Sequence, residues 1–143
     1  MQKKQCGELI KHIHCAMQKN ANNELRAEDL TFAQVHLLFT LEKQPKQCCL
    51  MKELERKMGV AQSTIAGLVK RCAEKGLVVC CEDTEDRRAK YVHITDKGLQ
   101  VCADTVEKIH RSEQRMIKLL TEEESGELIR LLTKVYTAVS QPD

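Results

Sequence analysis

The sequence predicts a mainly α-helical protein with a small β-hairpin. Apolar residues recur at three- and four-residue spacing through most of the 143 residues, which is the period of amphipathic helices. One short segment, residues 89–95, instead alternates in the manner of a half-buried strand. The chain contains two Phe, two Tyr and no Trp, so its core must be aliphatic and an all-β sandwich is disfavoured. This length fits one globular domain or one domain with a small appendage.

Two helices are predicted before Pro45. Residues 6–25 carry apolar side chains at helical spacing. Thr31 stands three residues before Gln34, which is the pattern of a capping box, and it opens a helix that is apolar nearly all round. We expect this second helix to lie in the middle of the fold.

A pair of helices joined by a tight turn follows. The first covers about residues 50–58 and ends at Gly59, and the second covers residues 61–75 and ends at Gly76. This spacing is typical of a helix-turn-helix. One side of the second helix is apolar, and the other side carries small, polar and basic residues that are free to face a partner. The apolar stripe consists of Ile65, Leu68, Val69 and Cys72.

Two antiparallel strands are predicted next, at residues 77–82 and 89–95, joined by a charged loop at residues 83–88. A long helix follows, with Thr95 as its predicted cap, and a second capping box that starts at Thr121 opens the last helix. The predicted order is therefore four helices, two strands and two helices.

A β-hairpin directly behind a helix-turn-helix is the arrangement of a winged helix, which we assign to residues 31–97. The helices in residues 1–30 and 98–143 are additional to that unit, and their apolar faces need to be covered. Packing them against the same helices of a second copy gives a two-fold homodimer. The sequence thus predicts a winged helix-turn-helix flanked by N- and C-terminal dimerisation helices.

The overall charge gives little information about the partner. The chain has 23 basic and 21 acidic residues, a formal net charge of +2, so nucleic-acid binding has to depend on where the basic residues lie. No span approaches the roughly 18 apolar residues of a membrane helix, and the N-terminus lacks the apolar region of a signal peptide. We therefore expect a soluble cytoplasmic protein.

Three groups of residues together resemble a known family. They are Leu30, Thr31 and Gln34; the helix-turn-helix at residues 54–76; and Asp86 and Arg88 followed by Val92, Ile94, Thr95 and Gly98. Over roughly residues 30–100 the chain resembles the MarR/SlyA-type winged-helix transcriptional regulators. The resemblance implies a cytoplasmic homodimer that binds double-stranded DNA at a pseudo-palindromic operator. It also implies a repressor that a small-molecule effector relieves, with no cofactor and no enzymatic activity.

The resemblance places the second helix of the helix-turn-helix in the major groove, with its N-terminal residues closest to the bases. Gln62, Ser63 and Thr64 are then expected to meet base edges or phosphates. Lys70 and Arg71 lie one to two turns further on and are expected to bind phosphates, which positions the protein without reading sequence.

The loop between the two strands is the predicted wing. A wing reaches the neighbouring minor groove, where negative potential favours an inserted arginine, and Arg88 is the predicted contact. Asp86 is expected to orient Arg88 by ion pairing, and Arg87 and Lys90 are expected to bind phosphates. Taken alone, the two arginines would be ordinary solvated loop charges; the helix-turn-helix in front of them favours the wing. Four acidic residues surround them and predict modest affinity unless a dimer doubles the contacts: Glu82, Asp83, Glu85 and Asp86.

The resemblance also implies an effector crevice between the DNA-binding part and the dimer helices. His36 lies on the nearly all-apolar second helix, so we expect it to be buried and to need a hydrogen-bond partner or a ligand. A core histidine with an internal partner is the alternative. The candidate residues of the crevice are His14, Phe32, His36, Phe39 and Cys102.

A zinc- or copper-responsive regulator of the same fold is an alternative, because some members of this family sense zinc through histidines. The thiol and imidazole groups of the first and fifth helices do not share one helical face, however. No metal site is assigned, and the possible ligands are His36 and His110.

A thiol-redox regulator is a further alternative, since the chain has eight cysteines, and none forms the Cys-x-x-Cys motif. Cys72 and Cys102 fall on apolar stripes, and we expect them to be buried. Cys80 and Cys81 are neighbours on one strand, so one is expected to point into the core and the other outward. The redox candidates lie near helix ends or outside an apolar stripe: Cys6, Cys15, Cys48 and Cys49.

Two other classes of function compete with DNA binding. The same basic surface suits a winged-helix protein-interaction module with an acidic protein partner. An enzyme that uses cysteine and histidine for nucleophilic chemistry is disfavoured, because no histidine is placed by a motif to activate a thiol.

Overall fold

The computed structural model describes residues 5–141. The ends of the two predicted terminal segments, residues 1–4 and 142–143, lie outside the described residues. The six predicted helices and both predicted strands are confirmed, and the structure adds one strand and two short 3₁₀ turns. The helices are α1 (Cys6–Leu25), α2 (Phe32–Glu42), α3 (Met51–Met58), α4 (Gln62–Glu74), α5 (Asp96–Ile117) and α6 (Glu122–Ser140). The strands are β1 (Cys48–Leu50), β2 (Val78–Glu82) and β3 (Lys90–Ile94), and the 3₁₀ turns are Arg26–Glu28 and Pro45–Gln47.

The chain forms two compact units, Met1–Lys108 and Ile109–Asp143. The first unit contains α1 to α4, the sheet and the start of α5, and the second contains the end of α5 and all of α6. Within residues 5–141, no helix is both long and apolar enough to cross a lipid bilayer.

Helix α2 lies at the centre of the first unit, as its apolar sequence predicts. Leu37, Leu38 and Leu41 are 0% exposed. The predicted stripe of α4 is buried in full, so this helix turns its opposite side to solvent. The core is completed by residues of α3, α4, the sheet and α5: Leu54, Ile65, Leu68, Val69, Cys72, Leu77, Val78, Val92 and Cys102.

The sheet has three antiparallel strands in the order β1-β3-β2, so the predicted two-stranded hairpin was incomplete. Strand β1 pairs with β3, with Cys49 opposite Val92. Its three residues are too few to show the alternation by which strands are recognised in a sequence. Pairing on both sides makes β3 the central strand, and Val92 is 0% exposed.

The prediction that one of Cys80 and Cys81 points into the core holds for its direction but not for burial, because both side chains are exposed. Cys80 pairs with Val92 and therefore shares the inner face of the sheet with it. Strand β2 is an edge strand, however, and its residues beyond Val78 extend past the core. Alternation sets the direction of a side chain, but burial also requires something to pack against it.

The start of α5 is fastened to the end of α4. The Thr95 hydroxyl accepts a hydrogen bond from the Gly98 N–H at 3.1 Å, which confirms the predicted cap, and donates to the Gly76 carbonyl at 2.7 Å. The Thr95 N–H donates to the Leu77 carbonyl at 3.0 Å. Gly98 is buried against this junction: a Cβ there would overlap the Leu77 carbonyl and lie 2.6 Å from Ile94 Cγ1.

In the second unit, the predicted capping box opens α6. The Glu124 N–H donates to the Thr121 hydroxyl at 3.1 Å, and the Thr121 N–H donates to the Glu124 carboxylate at 2.9 Å. Much of the apolar surface of α6 remains exposed. The exposed residues are Ile129, Leu131, Leu132, Val135, Tyr136 and Val139.

Replacing Gly98 with alanine is expected to lower the free energy of unfolding by about 1–3 kcal/mol, because the added methyl group has to displace backbone and the Ile94 side chain. Urea unfolding followed by circular dichroism measures the change. The matched control is Gly126→Ala in α6, where a Cβ meets nothing within 4 Å. The control is expected to raise stability by about 0.5–1 kcal/mol, because glycine is a poor helix former. A Gly98→Ala protein as stable as the wild type would contradict the close packing at this junction.

Candidate nucleic-acid interface

The exposed side of α4 carries the side chains that the sequence predicts for contact with DNA. The buried stripe fixes the rotation of the helix about its axis, and the residues between its members therefore face solvent. Ala61, the residue that precedes α4, makes no side-chain capping bond, so the N–H groups of the first turn are open to an external acceptor. The exposed residues are Gln62, Ser63, Thr64, Lys70 and Arg71.

Gly67 gives the Arg71 side chain room on this face. The guanidinium group of Arg71 lies over Gly67, and a Cβ at Gly67 would be 3.7 Å from Arg71 Nη1. A methyl group at this position would be in ordinary van der Waals contact with the arginine.

The loop at the end of the hairpin is organised by two aspartates. The Asp83 carboxylate accepts a hydrogen bond from the Glu85 N–H at 3.2 Å, and the Asp86 carboxylate accepts one from the Arg88 N–H at 3.0 Å. Each carboxylate thus holds the backbone two residues ahead, which is the geometry of an Asx turn. The expected ion pair between Asp86 and the Arg88 guanidinium is replaced by this backbone contact. Arg87 and Arg88 are exposed.

A groove of about 570 Å³ lies between the start of α3, the start of α4 and the wing. It brings Gln62 of α4 into one site with Asp86, Arg88 and Lys90 of the wing. Ser63, Thr64, Lys70, Arg71 and Arg87 are exposed but do not line this groove. Its other lining residues are Leu50, Met51, Lys52, Glu55, Ala66 and Ala89.

Sequence reasoning missed Lys52 and Glu55, which line this groove from α3. A usable signal was present, because the first helix of a helix-turn-helix crosses the DNA backbone and Lys52 lies in its first turn. Three basic side chains and two acidic ones line the groove, which leaves a formal charge of +1. The groove is therefore weakly basic.

The expectation that His36 is buried was wrong, because His36 is exposed. Helix α2 buries the side that carries its leucines, and His36 falls between these residues, on the other side. The imidazole ring lies 5.9 Å from the Phe32 ring, centroid to centroid. Partial burial by its neighbours and the nearby Lys43 charge lower the pKa of His36.

The other candidate crevice residues lie in different environments. His14 is exposed on α1, Phe39 is half-buried on α2, and Cys102 is buried on α5. Burial, together with the adjacent Glu42 carboxylate, raises the pKa of the Cys102 thiol to about 12. A common pocket for these residues stays a prediction.

For metal binding, the part of the chain that is described contains no group of three His, Cys, Asp or Glu side chains that could hold an ion. His36 and His110, the two possible ligands, are both exposed.

The redox candidates divide into exposed and protected thiols. Cys6 and Cys15 are exposed, and Cys48 is half-buried. Cys49 is buried and donates to the Glu53 carboxylate at 3.6 Å. Burial and Glu53 raise the pKa of Cys49, which disfavours this residue as a redox thiol because the thiolate is the reactive form.

A sequence model of the MarR family matches residues 28–89. The putative transcriptional regulatory protein for the hcr operon of Thauera aromatica is 34% identical over 84 residues, which are 59% of this chain and 51% of that protein. The transcriptional repressor MprA of Escherichia coli K12 is 21% identical over 133 residues, which are 93% of this chain and 76% of the repressor. The chain thus spans about half the length of the first relative and about three quarters of the second.

Among solved structures, the MepR–DNA complex of S. aureus has a TM-score of 0.87 to this chain at 22% identity. The match covers 95% of this chain and 99% of that chain. It confirms the winged helix-turn-helix fold.

Thiol labelling tests the environments of the cysteines. With N-ethylmaleimide at pH 8, the exposed cysteines, Cys81 among them, are expected to be modified before the buried ones. Cys102 and Cys72 are expected to stay unmodified until denaturant is added, because they are buried and their pKa values are raised to about 12 and about 11. Peptide mass spectrometry at timed intervals measures the rates. Modification of Cys102 as fast as Cys81 in the folded protein would contradict the burial described for α5.

Proposed function

We propose that the chain is a winged-helix transcriptional regulator of the MarR family, which binds double-stranded DNA as a homodimer and represses transcription. The observation that carries this proposal is the groove in which Gln62 of α4 faces Arg88 and Lys90 of the wing. One surface then holds both a helix end suited to the major groove and a wing suited to the minor groove. The function is one of binding, and we assign it no catalytic step.

The exposed N-terminal turn of α4 supports a role in reading the major groove. Gln62, Ser63 and Thr64 offer donors and acceptors to base edges or to phosphates. Lys70 and Arg71, further along the same exposed side, are placed to bind phosphates. The MepR structure of the same fold is a complex with DNA, which supports this docking surface.

The wing complements α4. Since Asp86 holds the Arg88 backbone, the Arg88 guanidinium is available to enter the minor groove. We assign phosphate contacts to Arg87 and Lys90, and add Lys52 of α3 on the opposite wall of the groove. The acidic residues around the wing lower its electrostatic attraction for DNA. High affinity therefore requires two copies of the surface in one dimer.

The exposed apolar residues of α1 and α6 support a homodimer. Leu9, Ile10, Ile13 and Met17 form one helical stripe on α1, and each is at least 37% exposed. The α6 residues named above form another. Isolated apolar side chains are common on surfaces, but two such stripes are typical of an interface. We therefore assign dimerisation to the terminal helices, residues 5–30 and 98–141. A two-fold dimer binds two half-sites about one helical turn apart, which predicts a pseudo-palindromic operator.

We further propose that a small-molecule effector relieves repression. The His36 ring beside Phe32 offers a flat surface and a hydrogen-bonding nitrogen, which suits an aromatic effector. Cys6 and Cys15, as exposed thiols, keep oxidation as the alternative trigger. Because a transcriptional regulator has to reach chromosomal DNA, we expect this protein to act in the cytoplasm.

Substitution of Arg88 by alanine is expected to weaken binding to a duplex selected from genomic fragments by about tenfold or more, because each half-site loses its minor-groove contact. Fluorescence anisotropy over a range of salt concentrations measures the affinity, which should fall steeply with salt in the wild type. The control is Arg26→Ala, since Arg26 is exposed in the turn after α1 and outside the groove.

Wild-type affinity in the Arg88→Ala protein would refute the wing contact. A monomer without salt-dependent DNA binding would instead favour a protein-interaction module with an acidic partner.

A further inference from the structure

Lys75 connects the C-terminal end of α4 to the turn between α1 and α2. Its ammonium group donates to the Gln34 side-chain oxygen at 2.9 Å and to the Asp29 carbonyl oxygen. The Asp29 carboxylate lies 3.8 Å away, but its side chain is 99% exposed, so solvent screens that ion pair. The two hydrogen bonds are therefore the substantial contacts, and they join residues more than 40 positions apart in the sequence.

Gln34, the acceptor, is itself fixed in place. It is 3% exposed, and its side-chain oxygen also accepts the Thr31 N–H at 3.3 Å. This second bond is half of the capping box that starts α2. One amide oxygen thus both closes the cap of α2 and binds Lys75, so the lysine is attached to a rigid point of the core.

The Lys75 side chain crosses open space to reach these acceptors. Grooves of about 440 Å³ and 320 Å³ both include Lys75, Asp29 and Leu30 in their walls. Solvent-accessible space therefore lies beside the side chain. The hydrogen bonds of Lys75 add to the packing of the core in holding the end of α4 against the α1–α2 turn.

Two further lysines complete a three-way junction. Lys97 of α5 donates to the Lys75 carbonyl at 2.8 Å, which joins α5 to the end of α4. Lys108 of α5 donates to the Glu28 carboxylate at 2.5 Å, which joins α5 to the α1–α2 turn. The end of α4, the α1–α2 turn and α5 are thus linked pairwise, and each link includes a hydrogen bond from one lysine.

We propose that Lys75 is a positioning residue that sets the angle of α4 relative to α1 and α5, and so determines discrimination between operator and other DNA. This inference rests on the proposed function. Helix α4 has 13 residues and is about 20 Å long, so a small rotation at its C-terminal end displaces its N-terminal turn. Contacts with the bases require that this turn of each protomer is aligned with its half-site in the operator. Electrostatic attraction to phosphates changes little with this displacement. Non-specific DNA binding depends on that attraction, so it should be retained.

The test compares three variants. Lys75→Met keeps the length of the side chain and removes its donors, Lys75→Arg keeps donors, and Lys70→Met removes an exposed charge from the same helix. Anisotropy titrations use a duplex selected from genomic fragments and a scrambled duplex of equal length, each at several salt concentrations.

Lys75→Met is expected to weaken binding to the selected duplex by about tenfold, the equivalent of one charge-assisted hydrogen bond. Binding to the scrambled duplex and the salt slope are expected to stay unchanged, and Lys75→Arg should restore most of the affinity.

Lys70→Met should weaken binding to both duplexes alike. It should also reduce the salt slope by about 1.8, because a dimer loses two phosphate contacts. An unchanged ratio of the two affinities in Lys75→Met, or a salt slope reduced as in Lys70→Met, would overturn the proposal.

A second measurement uses no DNA and separates this proposal from the proposed function. In Lys75→Met, amide hydrogen exchange is expected to accelerate in residues 28–34 and 72–77, while α6 exchanges as in the wild type. Unchanged exchange in both segments overturns the positioning role. A wild-type protein that binds no duplex refutes the proposed function instead, and the exchange result still decides whether Lys75 holds the two segments together.

Discussion

The first unit depends on the burial of one side of α2. Leu37, Leu38 and Leu41 have no exposed surface, and α3, α4, the sheet and α5 all contribute side chains to the core around them. Burial of a leucine contributes roughly 1.5–3 kcal/mol, so this cluster is a major source of stability. It also determines what is exposed, because α4 can bury its stripe in this core only by turning its polar and basic side outward. The candidate DNA surface is therefore a direct consequence of core packing.

The wing depends on the same core through β3. Val92 is fully buried, and β3 pairs with strands on both of its sides. Thr95 and Gly98 then join the end of this strand to the end of α4, so the wing and α4 are held by one junction. This arrangement explains why Arg88 and Gln62 line the same groove although they are far apart in the chain. The aspartates of the loop shape its backbone and leave the arginine side chains to interact with a partner.

Polar contacts have a different role from the core in this protein. The core makes the fold stable, whereas the lysines at the end of α4 fix the angle between elements that meet across open grooves. Such contacts contribute modestly to stability, since hydrogen bonds to a charged group are worth about 1.5–3 kcal/mol. For the proposed dimer, which would read DNA with two copies of one helix, a fixed angle matters more than additional stability, because specificity requires alignment of both copies.

The sequence by itself determined the helices, the hairpin, the caps and the buried stripe of α4, because these follow from local spacing and from hydrogen bonds within a few residues. The capping boxes at Thr31 and Thr121, and the burial of Cys72 and Cys102, were predictable for this reason. Only the tertiary structure decided the rest. Strand β1 forms because β3 lies beside it, and the packing of whole elements leaves Cys80 and His36 exposed. Lys52 enters the groove, and Lys75 reaches Gln34, through contacts between distant parts of the chain. Spacing within a segment carries no information about such contacts, because they depend on how separate elements pack together.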